Sequence, residues 1–303
     1  MSYIKAISTY LPDNVITNND IVTRFPEWDD QKILNKIGVK QRHVSSPDEF
    51  ASDLATKAVE KLLAEYSIDK NSVDFLMICT QSPDYAIPTT ACLVQQRVGL
   101  PTSCGALDIN QGCSGYVYGL SLANGLIASG NFKNVVLVTT DTYSKYIHPD
   151  DKGNISIFGD AATATLISNE GAYRIGKFTL GTDGSGQDSF TVKGSGVRGR
   201  TCLPSDKTDD FLQMKGGKMF NFIVKYIPPV VHQNIQDNSL QFNEIDLFVF
   251  HQANTHILNK LREDMAVPHD KFVLEMLEVG NTVSSTLPIA LKNHLKNRTT
   301  KFC

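Results

Sequence analysis

Two kinds of apolar pattern alternate along the chain. Phe75-Leu76-Met77-Ile78-Cys79 and Asn134-Val135-Val136-Leu137-Val138-Thr139-Thr140 are nearly unbroken apolar runs, as expected of strands buried on both faces. Helical spacing appears around them, in Leu54, Ala58, Leu62 and Leu63, in Ala91 to Val98, and in Tyr116 to Ser129, which Gly130 closes. Tyr3 to Leu11 alternates like a half-buried strand and turns at Pro12-Asp13-Asn14. Asn18-Asn19-Asp20 opens a helix, Ser46-Pro47-Asp48-Glu49 reads as the cap of the next long one, and Lys40-Gln41-Arg42-His43 reads as a basic, solvated strip. Later, Tyr173 to Leu180 is a strand candidate, and Met214 to Asn234 is a long helix that Pro228-Pro229 should kink or end. Alternating helices and buried strands predict an α/β layered fold.

The pattern repeats. Asn71-Ser72-Val73-Asp74-Phe75-Leu76-Met77-Ile78-Cys79 has a near twin in Asn243-Glu244-Ile245-Asp246-Leu247-Phe248-Val249-Phe250-His251. The same offset carries the corner at Gly112-Cys113 onto Gly280-Asn281-Thr282-Val283-Ser284-Ser285, followed by a helix from Leu287 to Leu295. Two duplicated halves are expected, 1–172 and 173–303. Continued across the repeat, the strands after the first corner helix would fall beyond residue 303. The tail Asn297 to Cys303 is too short and polar to replace them, so the second half is expected to lack its last strands, as in a truncated chain or one completed by a partner.

Composition narrows the function classes. With 303 residues, 41% apolar and a net charge of −3, neither nucleic acid nor an anionic membrane is the expected partner. No signal peptide and no membrane-spanning run is seen, which predicts a cytoplasmic protein. The six cysteines lack zinc-site spacing, so thiols and no metal centre are expected. Gly194-Ser195-Gly196-Val197-Arg198-Gly199 fits a dinucleotide-binding pattern, but Thr201-Cys202-Leu203-Pro204 follows where a helix should, and the segment reads as a surface loop.

The chemistry concentrates in Asp108-Ile109-Asn110-Gln111-Gly112-Cys113-Ser114-Gly115, where a strand ends and a helix begins. Cys113 at a helix N-terminus is expected to favour thiolate, the nucleophile of acyl transfer, with Gly112 and Gly115 leaving room for a thioester. His251 and Asn281 stand at two other strand-end corners that the symmetry brings toward Cys113. Taken singly, each is more simply a buried thiol, a core histidine and a turn asparagine.

Six stretches in order change that balance: Gly38-Val39-Lys40-Gln41-Arg42-His43, Pro88-Thr89-Thr90-Ala91-Cys92, Gly112-Cys113-Ser114-Gly115, Ile157-Phe158-Gly159-Asp160-Ala161-Ala162, His251-Gln252-Ala253-Asn254 and Gly280-Asn281-Thr282. Together they resemble the β-ketoacyl-acyl-carrier-protein synthase III family of thiolase-like condensing enzymes, over almost the whole chain. The resemblance implies a thiolase-like αβαβα fold, a homodimer, and substrates that are CoA or acyl-carrier-protein thioesters with no other cofactor. It implies that Cys113 takes an acyl group from acyl-CoA, and that His251 and Asn281 hold the malonyl-acyl-carrier-protein carbonyl during decarboxylation. It places Trp28, Lys32, Lys152 and His256 about the nucleotide of the donor, where the family often uses arginine, and Ile87 at a position lining the partner's acyl pocket. Nothing after Leu295 matches the glycine-rich turn with which the family completes its oxyanion hole. A same-fold acyltransferase without decarboxylation, or a silent partner subunit, are the alternatives.

Overall fold

The computed structural model describes residues 1–202 and 207–295. In chain order the first half runs β1 (Tyr3–Tyr10), β2 (Asn14–Thr17), α1 (Asn18–Arg24), α2 (Asp30–Ile37), β3 (Gln41–Val44), α3 (Ala51–Glu65), β4 (Phe75–Cys79), α4 (Thr90–Val98), β5 (Gly105–Ile109), α5 (Gly115–Ala128), β6 (Asn134–Asp141), α6 (Lys152–Ile157) and β7 (Ala161–Ser168). There follow β8 (Tyr173–Arg174), β9 (Phe190–Thr191), α7 (Gly196–Cys202), β10 (Gln213–Met214), α8 (Gly216–Asp237), α9 (Thr255–Asp264) and α10 (Thr286–Leu295).

One six-stranded sheet, β5-β4-β6-β7-β1-β8, organises the fold. β4 pairs in parallel with both β5 and β6, and β7 is antiparallel to β6 and β1. Strand periodicity divides its side chains between two cores. Leu76, Ile78, Val136 and Val138 pack with Leu54, Ala58 and Leu62 of α3 and with Ala91 and Val94 of α4. Met77, Val135 and Leu137 face the other way, onto Tyr116 and Ala123 of α5 and Leu287 of α10. The two corner helices of the repeat therefore share one layer against the sheet, the layered α/β arrangement expected of a thiolase-like fold.

The second half repeats the local pattern without a second ladder among the described residues. A 3-10 turn at Phe242–Glu244 precedes Leu247 to Phe250, as one at Lys70–Ser72 precedes β4, but the twin segment makes a single parallel bridge, Phe248 to Phe272. Its core is helical, with Ile235 of α8 and Leu258 of α9 packed on Ile245, Phe248 and Met276. The tail from 296 to 303 lies outside the described residues.

Several local expectations are overturned. Arg42 is not on a solvated strip. It is fully buried, donating to Ile16 O at 3.1 Å, Asn18 Oδ1 at 2.9 Å and Ser156 O at 2.9 Å, and burial lowers its pKa to about 10. Helix α8 passes through Pro228 and Pro229 unbroken, with Val231 and Ile235 beyond them held in the second core. The GxGxxG segment is partly helix, because α7 starts at Gly196; it follows the two-residue strand β9, whose partner β10 is antiparallel, rather than a parallel strand of a βαβ unit as a dinucleotide site requires. Ser46 to Glu49 forms a turn ahead of the true cap, Phe50. Tyr173 to Leu180 pairs only over Tyr173–Arg174.

Candidate active site

Cys113 is set by the exit of β5. Asp108 accepts the N–H groups of Thr90 at 2.6 Å and Ala91 at 2.7 Å, fastening that strand to the start of α4, and Ile109 O accepts from Thr80 N–H at 3.1 Å. The chain then turns through Gly112, whose carbonyl accepts from Gly115 N–H at 2.7 Å. Gly115 is required by close approach, since a Cβ there would come within 2.3 Å of Cys79 Sγ. Cys113 itself is half-buried and packs against an apolar cluster that includes Tyr143, Phe158, Leu212 and Val283.

The space beside the two glycines is not open. Gly115 is closed by Cys79, and a Cβ on Gly112 would lie 2.6 Å from Gln81 Oε1. Nor is the thiol acidified: burial first, and the nearby Asp141 carboxylate second, push its pKa up to about 12. Cys113 precedes the cap residue Ser114 rather than lying within the helical turn, so the dipole expected to favour thiolate is outweighed. Asp141, at the end of β6, is raised to about 7 by burial and accepts Gln81 N–H at 2.8 Å.

Asn281 is delivered by a turn clamped to the first half. Gly280, at φ +69°, lets the chain reverse. Asn281 N–H then donates to Ile157 O at 2.8 Å, and Asn281 O accepts from Gly159 N–H at 3.0 Å. Its side-chain Oδ1 accepts Val283 N–H at 3.0 Å, which orients the amide so that Nδ2 lies toward Ala253 O at 3.4 Å.

His251 ends the repeat-related segment of the second half. Its Nδ1 lies 2.8 Å from Thr286 Oγ1, and Thr286 donates its own hydroxyl proton to Val283 O at 3.0 Å. A hydroxyl has one proton, so Thr286 acts as acceptor toward Nδ1, which assigns the Nδ1–H tautomer and leaves Nε2 unprotonated. Burial lowers the imidazole pKa to about 4, so it is neutral near pH 7.

The three corners come together around one apolar cluster that includes Val283: Cys113 packs against the cluster, Asn281 takes the Val283 N–H, and the Val283 carbonyl lies beside His251 and accepts from Thr286. Val283 has φ +55°, a rare conformation for a β-branched residue, so tertiary contacts hold this corner against local preference. Sequence reasoning missed Val283, Thr286 and Asp141. Only Asp141, a carboxylate directly after an apolar strand run, left a readable signal.

The remaining candidates have other partners. Lys152 pairs with Glu27 at 2.5 Å and stands over the Trp28 ring at 5.9 Å, bringing those two together. Lys32 is exposed on α2, and His256 is exposed and stacks on Phe220 with ring centroids 5.3 Å apart. Ile87 is 89% exposed. Among the described residues no three His, Cys, Asp or Glu side chains are grouped to hold a metal, and no helix is long and apolar enough to cross a membrane.

Residues 107–184 match 3-oxoacyl-[acyl-carrier-protein (ACP)] synthase III, and residues 235–301 match the C-terminal part of the same enzyme. The β-ketoacyl-[acyl-carrier-protein] synthase III of Lactococcus lactis subsp. cremoris (strain MG1363) is 34% identical over 289 residues, which are 95% of this chain and 88% of the relative. A crystal structure of a 3-oxoacyl-(acyl-carrier-protein) synthase III is 42% identical, with a TM-score of 0.94 over 99% of this chain and 92% of the other. That of the 3-oxoacyl-(acyl-carrier protein) synthase from Burkholderia xenovorans LB400 is 33% identical, with a TM-score of 0.89 over 98% and 87%. By fold and by sequence along nearly its whole length, the chain belongs to the 3-oxoacyl-[acyl-carrier-protein] synthase III family, whose members are condensing enzymes.

Proposed function

We propose that this chain joins an acyl thioester to malonyl-acyl-carrier protein by decarboxylative condensation, as a 3-oxoacyl-[acyl-carrier-protein] synthase III of fatty acid biosynthesis. The observation that carries the reading is that Cys113 packs against the apolar cluster containing Val283, while Asn281 and His251 are tied to the backbone of that same residue. A nucleophile, a neutral base and an amide donor at one corner are the parts acyl transfer and enolate formation require.

The protonation states set the order of events. A thiol held near pKa 12 is not a free thiolate near pH 7, so its proton must leave during attack on the donor. The unprotonated Nε2 of His251 relays it, as the new C–S bond forms, to the departing thiolate of CoA. The acyl group is then held as a thioester on Cys113.

In the second half-reaction the malonyl thioester loses carbon dioxide. The electrons of the broken bond enter an enolate, and the Asn281 amide stabilises the charge on its oxygen; His251, expected to share that role, has in its Nδ1–H tautomer no Nε2 proton to donate. The enolate carbon attacks the acyl carbon, the Cys113 sulfur leaves and is reprotonated, and a 3-oxoacyl thioester departs on the carrier.

Trp28, Lys32, Lys152 and His256 are the residues we assign to the nucleotide end of a CoA donor. Lys152 above the Trp28 ring supports this, offering an aromatic face and a cation together. The exposed Ile87 supports a homodimer in which it faces the partner's acyl pocket. These assignments need no cofactor beyond the thioester substrates, and the cytoplasm, where such thioesters are made and used, is the compartment we assign.

The test is product formation from acetyl-CoA and malonyl-acyl-carrier protein. Release of carbon dioxide with a 3-oxoacyl product, both abolished in Cys113→Ala, is expected. Acyl transfer to an oxygen or nitrogen acceptor without carbon dioxide would contradict the condensation.

A further inference from the structure

Arg42 is buried without the usual compensation for a charge. Its guanidinium is held by neutral acceptors, two carbonyls and the Asn18 amide oxygen, and its Nε has no hydrogen-bond partner among the described residues. Burial works against the charged form, with the attraction of Asp20 opposing it. An apolar side chain of similar volume would fill such a site without that cost. What the guanidinium adds is the joining of separate segments of the chain.

Those segments are the start of α1, the end of α6 and the corner that carries Asn281. Arg42 reaches the first through Ile16 O and Asn18 Oδ1, and the second through Ser156 O. Ser156 stands in the last turn of α6, where carbonyls lack intrahelical partners and the helix dipole favours a cation. One residue further on, Ile157 O accepts the Asn281 N–H at 2.8 Å, and Gly159 N–H donates to Asn281 O at 3.0 Å. The corner itself runs against Arg42: an added Cβ on Gly280 would lie 3.3 Å from Arg42 Cβ, and one on Gly159 3.2 Å. The backbone on either side of Arg42 adds ties, with Lys40 N–H donating to Leu277 O at 2.7 Å and His43 O accepting from Asp160 N–H at 2.8 Å.

We propose that Arg42 is a positioning residue for Asn281: by tying Ser156 to Ile16 and Asn18 it fixes the segment from Ile157 to Gly159 onto which the Asn281 backbone is clamped. This rests on Asn281 serving the enolate. Asn281 Oδ1 is taken by the Val283 N–H, so the place of its Nδ2 follows from the place of its backbone. A shift of about 1 Å in such a donor can lower turnover about a hundredfold. Cys113 is set instead by the exit of β5, which Asp108 fastens to α4 through bonds that do not involve Arg42, so its acylation should not feel the change.

The experiment is a double-mutant cycle read on each half-reaction: acylation of Cys113 by acetyl-CoA, followed by intact mass, and carbon dioxide release from malonyl-acyl-carrier protein. It compares wild type, Arg42→Gln, Asn281→Ala and the double variant. Arg42→Gln removes the charge and the three-way tie while leaving a polar end. It should lower decarboxylation about ten- to a hundredfold, with acylation within about threefold of wild type. In the double variant decarboxylation should match Asn281→Ala alone, because a donor that is absent cannot also be misplaced. Asn18→Ala, which takes away one acceptor from the far side, should give the same selective loss at smaller size, and it takes the place of Arg42→Gln in the cycle should that variant not fold.

A double variant that falls below Asn281→Ala, equal falls in both half-reactions, or decarboxylation unchanged in Arg42→Gln overturns this proposal alone. Decarboxylation at the wild-type rate in Asn281→Ala overturns the enolate role of Asn281 and the proposal together.

Discussion

The two halves of the repeat hold their functional residues by different means. Cys113 follows β5, the edge strand of the six-stranded sheet, which pairs in parallel along its whole length with β4, itself paired to β6. His251 and Asn281 leave segments that, among the described residues, make single bridges, Phe248 to Phe272 and Phe158 to Asn281. The second bridge crosses between halves, and so do the Asn281 bonds to Ile157 and Gly159. The first half is thus scaffold for both: it positions its own nucleophile and clamps the corner that carries the donor. Identical local sequence signals can therefore end in different degrees of support.

This contrast predicts that damage to the first half is read as lost stability, and damage to the ties of the second as lost turnover. The largest stability effect is expected from Leu137→Ala, which empties a fully buried site between the sheet and α5. A loss of about 2–5 kcal/mol in urea unfolding should follow. Thr286→Val removes the hydroxyl that fixes the His251 tautomer. It should lower kcat/KM about ten- to a hundredfold, with stability changed by only about 1 kcal/mol. Equal damage to stability from both would erase the distinction.

Smaller effects probe the electrostatics of the corner. Asp141 is raised to about 7, so its contribution to stability is present at low pH and lost as pH rises through that value. His251, lowered to about 4, runs oppositely, its contribution being lost as pH falls below about 6.5 toward 4. Asp141→Asn should therefore gain on wild type by of order 1 kcal/mol in thermal melts between about pH 5 and pH 8. Alkylation of Cys113 in the free protein should rise about tenfold per pH unit through the same range; a plateau there would mean a thiolate that burial and Asp141 do not suppress.

Much of this molecule was legible in its residues, for physical reasons that also mark the boundary. Phe75 to Cys79 and Asn134 to Thr140 announce buried strands because a strand covered on both faces must be apolar throughout. The corner at Cys113 was visible because a strand, a glycine turn and a helix succeed one another in sequence. Arg42 was misread because burial of a guanidinium depends on three acceptors brought from Ile16, Asn18 and Ser156, none of which its neighbours reveal. The acidity of Cys113 was misjudged in sign, since the helix terminus is local while Asp141 and the enclosing side chains arrive from elsewhere. Gln81 and Tyr143 lie 62 positions apart, and their hydrogen bond exists only in the fold.

The most direct test of the account separates the two half-reactions in Asn281→Ala. Rapid-quench mass analysis with acetyl-CoA measures acylation of Cys113, and carbon dioxide release from malonyl-acyl-carrier protein measures the second step. With Asn281 serving only the enolate, acylation should proceed within about a few-fold of wild type while decarboxylation falls by two to three orders of magnitude, roughly the effect of losing one oxyanion donor. Loss of acylation in this variant, or decarboxylation at the wild-type rate, would contradict the division of labour between the two corners.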